Sequence, residues 1–285
     1  VMNEFMRQVI SVDAHQHVVA RFFMPADEPR AAVLVVPAMG VTQAFYAPFA
    51  HWLATQGFLV ATFDYRGIGQ SRHGSLRKVS TDILDWARLD CAAMIDAMAT
   101  RVGDKPLYWV GHSLGGQILP FVPNRQRVSR VVTVATGSGY WRENTAALRR
   151  TSWWLWFVAA PLSVRLFGYF PGKRLRKVGD LPRGVMEQWR RWCLDPEYAV
   201  GVEGESARAL YAAVETPIVS LSFTDDEFMS LRNTESIHGQ YANARRTMKR
   251  IAPKEIGEKR IGHFGFFKPK YERSLWHAHL LPELT

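Results

Sequence analysis

The chain has 285 residues, 47% of them hydrophobic and 22% charged, with 36 Lys and Arg against 26 Asp and Glu for a formal charge of +10. That balance excludes a disordered chain, and the length suffices to bury one large core. The basic residues are dispersed in pairs such as Arg149/Arg150, Arg190/Arg191 and Arg245/Arg246, without a reader motif, so a solvated basic surface is expected and no nucleic-acid partner.

In chain order, Val1 to Ile10 lacks the basic start and apolar stretch of a secretory signal. An alternating run, Gln16 to Phe23, comes next. More continuously apolar runs follow at Ala31 to Val36, Phe58 to Phe63, Leu107 to Val110, Val131 to Ala135 and Pro217 to Ser222. Continuous runs suit strands buried on both faces, and the stretches between them have helical spacing, notably Phe45 to Thr55 and Ser80 to Thr100. The pattern predicts an α/β fold built on a mainly parallel sheet with crossover helices. Cys91 and Cys193 are the two cysteines; with no CxxC and no His/Cys cluster they predict neither a disulfide framework nor a metal site, so a cytoplasmic location and no cofactor are expected.

Residues 138–215 break the alternation. We expect a core made of 1–137 and 216–285, with 138–215 inserted as a helical lid. Its stretch Trp153 to Phe170 is the most apolar in the chain, but Pro161, Arg165 and Gly168 interrupt it within a window barely long enough to span a bilayer. A helical hairpin packed on the core is the first expectation. A lid lining an acyl pocket with Trp153, Trp154 and Trp156 is the second. Membrane-surface contact aided by Lys173, Arg174, Arg176 and Lys177 is the least favoured.

The chemistry centres on Gly111-His112-Ser113-Leu114-Gly115, a GxSxG that follows an apolar run and precedes the helix-compatible stretch Gly116 to Phe121. A strand-to-helix turn of this kind projects a strained serine, and close packing around it requires small flanking residues. Ser113 is the predicted nucleophile. It needs a base, and of nine histidines His263 has the right setting: after the strand-compatible Glu258 to Ile261, within Gly262-His263-Phe264-Gly265, ahead of a terminal helix. His112 lies in the elbow itself, where its ring cannot readily face its neighbour's hydroxyl. The acid follows the strand Pro217 to Ser222, where Asp225, Asp226 and Glu227 compete; the two not chosen are expected to form an Asx turn and a helix-start carboxylate. Oxyanion donors are expected from the N–H of Leu114 and, in the loop after Ala31 to Val36, of Met39.

With these motifs the chain resembles the α/β-hydrolase superfamily over essentially its full length. The further match is Asp64-Tyr65-Arg66-Gly67-Ile68-Gly69-Gln70-Ser71, similar to that superfamily's D-x-R-G-x-G-x-S loop, in which Asp64 and Arg66 are expected to form a structural ion pair and turn. VPAMGV, DYRGIGQS, GHSLGGQ, ATGSGYWR, LFGYFPG, LSFTDDE and IGHFGFF together resemble a group of bacterial predicted α/β-hydrolases. The resemblance implies an eight-stranded-type sheet with helices on both faces, and its spacing from Thr216-Pro217 selects Asp226 as the acid. Pro37-Ala38 departs from the His-Gly that many members carry before the oxyanion residue, so Met39 is assigned by position.

The expected function is hydrolysis of a carboxylic ester or lactone of a fairly apolar small molecule through an acyl-enzyme on Ser113. The same triad could instead pass the acyl group to an acceptor, as an acyltransferase, or stand silent in a ligand-binding module. An aspartate at the elbow, which dehalogenase or epoxide hydrolase chemistry needs, is absent.

Overall fold

The computed structural model describes residues 4–176 and 178–285; Lys177, one of the residues considered for membrane contact, lies outside them. The strands in chain order are β1 (Met6–Ser11), β2 (His17–Phe23), β3 (Ala31–Val36), β4 (Phe58–Phe63), β5 (Leu107–His112), β6 (Arg130–Val134), β7 (Tyr169–Phe170), β8 (Leu181–Pro182), β9 (Ile218–Phe223) and β10 (Arg246–Ile251). Eight of them form one sheet in the order β1-β2-β4-β3-β5-β6-β9-β10, while β7 and β8 pair separately. β1/β2 and β2/β4 are antiparallel, and every pairing from β4 through β3 to β10 is parallel.

The central strands β3 and β4 are buried at every position, because helices cover both faces of the sheet and leave no polar side to alternate with. Two apolar layers result: one packs the helical stretch 83–102 and the 138–215 insertion against one face, the other packs Ala47–Thr55 and the C-terminal segment against the opposite face. The two edge strands escaped the sequence reading. β1 and β10 are largely exposed, and β10, Arg-Thr-Met-Lys-Arg-Ile, carries the charges that discourage edge-to-edge pairing.

Several expectations are corrected. Glu258 to Ile261 is not a strand; the parallel edge is formed earlier, by β10. Gly116 to Phe121 is not a regular helix but 3₁₀ turns at Ser113–Gly116 and Leu119–Phe121, since two adjacent glycines and Pro120 oppose continuous α-structure. Arg66 does not pair with Asp64: its Nε meets Asp90 Oδ1 at 2.9 Å, while Asp64 accepts the backbone N–H of Gln43 at 2.8 Å and of Gln70 at 3.0 Å. Asp64 thus ties the loop after β4 to the one after β3.

The 138–215 insertion leaves the sheet after β6 and returns at β9. Its first part is not a hairpin but one helical run over 146–167, in which Leu155–Ala159 is π-helical and Pro161 stands at the start of the following α-segment Ala160–Phe167. The wider turn receives the proline that a regular α-helix would reject. Gly168 ends the run at φ 75°, a left-handed cap that suits glycine.

Candidate active site

Ser113 lies at the end of β5 with φ 51°, in the left-handed region that a non-glycine residue rarely occupies. The strain is held by packing on both sides. A Cβ on Gly111 would strike the Gly115 carbonyl, and one on Gly115 would strike the Val36 carbonyl. Thr136 Oγ1 donates to the Ser113 carbonyl at 2.9 Å. The turn therefore fits only this backbone path, and the path aims the serine at a cavity of about 610 Å³ whose wall includes Ser113 and His263.

His263 sits 4% exposed on the loop between β10 and the C-terminal segment. Its Nδ1 lies 2.9 Å from Asp226 Oδ2 and 3.1 Å from Oδ1. Asp226 Oδ1 also accepts the N–H groups of Phe228 and Met229, each at 2.9 Å, so the carboxylate is fixed by its own turn before it meets the imidazole. The neighbouring acids hold the histidine loop itself. Asp225 accepts the N–H of Ile261 at 2.8 Å and of Gly262 at 3.1 Å, and Glu227 accepts the N–H of His263 at 2.9 Å. Glu227 is thus no helix-start carboxylate: the next helix begins at Leu231, capped by Ser230. Three consecutive acids clamp three consecutive residues, and the Asx turn belongs to Asp226 itself.

Ser113 Oγ has no hydrogen-bond partner among the described residues, an arrangement common before substrate is bound. His112 behind it is fully buried. Its Nδ1 lies 2.8 Å from Tyr46 Oη and its Nε2 2.9 Å from the His263 carbonyl. Tyr46 Oη accepts the Ala38 N–H at 2.9 Å, so Tyr46 donates to Nδ1 and the Nε2–H donates to the carbonyl. Burial first, and then the proximity of His263, hold the His112 imidazole far below the ordinary histidine range, at about 3. This neutral ring joins the loop after β3, the elbow and the histidine loop.

Met39 and Leu114, the residues expected to donate to an oxyanion, both line the cavity beside Ser113. The Met39 N–H has no partner among the described residues, and Leu114 stands in the first turn of its 3₁₀ segment, where N–H groups have no intrahelical acceptor. Of the three tryptophans expected in an acyl pocket, Trp156 alone reaches it, buried and packed edge-on against Trp189 with ring centroids 5.0 Å apart. Trp153 and Trp154 are 53% and 44% exposed; they precede the π segment Leu155–Ala159 that contains Trp156, and its wider turn rotates Trp156 away from the face that Trp153 would share with it in a regular α-helix. The cavity also contains residues that sequence reasoning missed, among them Gln117, Tyr198, Phe228 and Met229. Gln117 receives the Tyr198 hydroxyl at 2.9 Å and donates to the Gly137 carbonyl at 2.6 Å. Its place just past the elbow was the available signal. Among the described residues, no three His, Cys, Asp or Glu side chains are grouped as a metal would require.

Comparison with known proteins agrees with this architecture. Residues 27–179, more than half of the chain, match the family described as serine aminopeptidase, S33. The chain belongs to that family of α/β-hydrolase serine hydrolases. Monoglyceride lipase of Mus musculus is 31% identical over 103 residues, which cover 36% of this chain and 33% of the mouse protein; the match spans about a third of that relative's length. Among solved structures, the Pyrococcus furiosus esterase Pf2001 superposes with a TM-score of 0.64 at 12% identity, over 99% of this chain and 90% of the esterase. A soluble variant of monoglyceride lipase from Saccharomyces cerevisiae in complex with a substrate analog gives 0.63 at 16% identity, over 87% and 86%. DcsB in complex with its substrate analogue gives 0.62 at 17%, over 96% and 97%.

Proposed function

We propose that this chain is a serine esterase that cleaves a carboxylic ester or lactone with an apolar acyl part through an acyl-enzyme on Ser113. The observation that carries the reading is one cavity, mostly apolar, whose wall holds Ser113 and a His263 already paired through Nδ1 with Asp226. In this mechanism His263 Nε2 takes the Ser113 proton as Oγ attacks the ester carbonyl, and Asp226 fixes the tautomer and stabilises the imidazolium. The N–H groups of Met39 and Leu114 receive the oxyanion, each contributing about 2.7–4 kcal/mol to the transition state. The imidazolium then protonates the leaving alcohol, and a water activated by the same histidine releases the acid.

The acyl chain runs along Trp156 and the apolar wall of the insertion 138–215, which acts as a lid. Monoglyceride lipases and an esterase among the similar proteins support an ester substrate. The family's description names an aminopeptidase, but such an enzyme must receive a substrate ammonium, and among the described residues no Asp or Glu lines the cavity. A neutral ester therefore suits it better than a peptide. A reducing cytoplasm suits the two buried, free cysteines.

The test is covalent labelling by a fluorophosphonate together with a panel of aryl esters of increasing acyl length and of lactones. Labelling lost in Ser113→Ala, with turnover of esters or lactones by the unsubstituted protein, is expected. An unlabelled protein that turns over none of them would leave a binding module instead. Transfer to an added alcohol in preference to water would make it an acyltransferase.

A further inference from the structure

The helical run over 146–167 has two apolar faces. One faces the cavity, through Leu155 and Trp156. The other is open: Trp153, Trp154, Phe157, Val158, Leu162 and Leu166 are between 38% and 65% exposed, and they make up six of the twelve exposed large hydrophobic side chains among the described residues. From Ser152 to Phe167 exposure comes in adjacent pairs spaced four apart, at 153/154, 157/158, 161/162 and 165/166, and Arg149 and Arg150 continue the series one step earlier, with Thr151 exposed beside them. A pure α-helix of 3.6 residues per turn would rotate such a pattern around its axis. The π segment Leu155–Ala159 slows that rotation and keeps the outer face straight.

The charges along this stretch of chain have one sign. Arg149 and Arg150 precede the apolar stretch on the same exposed face and Arg165 stands near its end, with Lys173 and Arg174 exposed on the segment that follows. From 144 to 179 the sequence contains seven Lys and Arg and no Asp or Glu. None of Arg149, Arg150, Arg165, Lys173 and Arg174 has an ion-pair partner among the described residues.

We propose that the outer face of residues 149–166 docks on an anionic lipid surface, with Trp153, Trp154, Phe157 and Leu162 in the headgroup–acyl boundary and the flanking arginines on lipid phosphates. An in-plane helix with aromatic and aliphatic side chains at its centre and cations at its rim has the chemistry of an interfacial anchor. The run is not a membrane span: among the described residues no helix is long and apolar enough to cross one. A second copy of the chain fits less well, because its matching face would bring the same acid-free, cationic rim against this one. Docking would hold the cavity wall itself at the bilayer, since the same helix forms both surfaces. This revises the least favoured reading of the sequence, and it stands independently of what Ser113 does.

Co-sedimentation with vesicles tests it, using phosphatidylcholine alone and phosphatidylcholine mixed with phosphatidylglycerol. The protein should bind the mixed vesicles, bind the neutral ones weakly, and be released by salt. Arg149→Gln with Arg150→Gln should weaken binding roughly 25-fold, at about fivefold for each charge. Trp153→Ala with Trp154→Ala should weaken binding at all salt concentrations. Both pairs are exposed, so unchanged thermal melting verifies their folding. The proposal is overturned if the protein stays in the supernatant with both vesicle types, or if correctly folded double variants bind as the parent does. It is equally overturned if sedimentation velocity finds a dimer that the tryptophan substitutions dissolve while vesicles bind nothing.

Discussion

Tyr46 and His112 are joined by a 2.8 Å hydrogen bond in the buried space behind Ser113. Through it the loop after β3 is tied to the elbow, because Tyr46 also accepts the Ala38 N–H next to Met39. Tyr46→Phe removes the hydroxyl from both partners and leaves two buried polar atoms unsatisfied, at about 1–3 kcal/mol. Denaturant unfolding should show that loss. Turnover should fall by up to about 100-fold as the oxyanion loop drifts, with KM little changed. A variant as stable and as active as the parent would mean the link positions nothing.

Ser113→Ala should abolish turnover, with a loss of order 10⁴ or more, and leave the melting temperature almost unchanged. The elbow's packing is set by the glycines at 111 and 115, and alanine removes a single oxygen that no protein group holds. Residual activity above about a hundredth of the parent, against that expected loss, would take the nucleophile role from Ser113.

Asp225→Asn and Asp226→Asn should separate cleanly. The second replaces the group on His263 Nδ1 and should lower turnover by up to about 10⁴-fold. The first weakens the grip on the Ile261 and Gly262 N–H groups, so its effect should fall mainly on stability. Steady-state kinetics and thermal melts of both variants side by side decide this; a larger kinetic loss at 225 would reverse the assignment.

Trp156→Ala should shift acyl-length preference, reducing kcat/KM for long esters more than for acetate, since a short acyl group cannot use that wall. Trp153→Ala and Trp154→Ala should leave the preference for soluble esters as it was. Equal losses on short and long esters in Trp156→Ala would assign that side chain to packing alone.

Stability should decline on acidification below neutrality. Burial lowers two histidines, His112 to about 3 and His238 to about 4, from a free value of 6.5. Both are neutral in the fold while the unfolded chain takes up their protons, so their contribution is present above 6.5 and is lost as pH falls toward 4 and 3. Asp90, which burial raises from 3.8 to about 6 against the pull of Arg66, acts in the opposite sense between those values and blunts the slope there. Melting temperatures from pH 7 to pH 4 should therefore fall. A flat profile would show that the two imidazoles carry no such linkage.

The sequence by itself determined the central strands and the glycine-flanked elbow, whereas the strand it placed before His263 is absent. Strands buried on both faces must be continuously apolar, and a serine at a strand-to-helix turn must be flanked by glycine, so both constraints are written locally. Asp226 was reachable only through family spacing, since three adjacent carboxylates are chemically alike until the fold turns each toward a different partner. Tertiary structure alone decided the rest. The edge strands β1 and β10 carry no apolar signature, because one side of each faces solvent. The Tyr46–His112–His263 connection joins residues far apart in the chain. Whether a tryptophan of the insertion lines the cavity or faces outward depends on helix phase, and one π segment near Pro161, invisible in the composition, sets that phase: it sends Trp156 inward and leaves Trp153 and Trp154 at the surface.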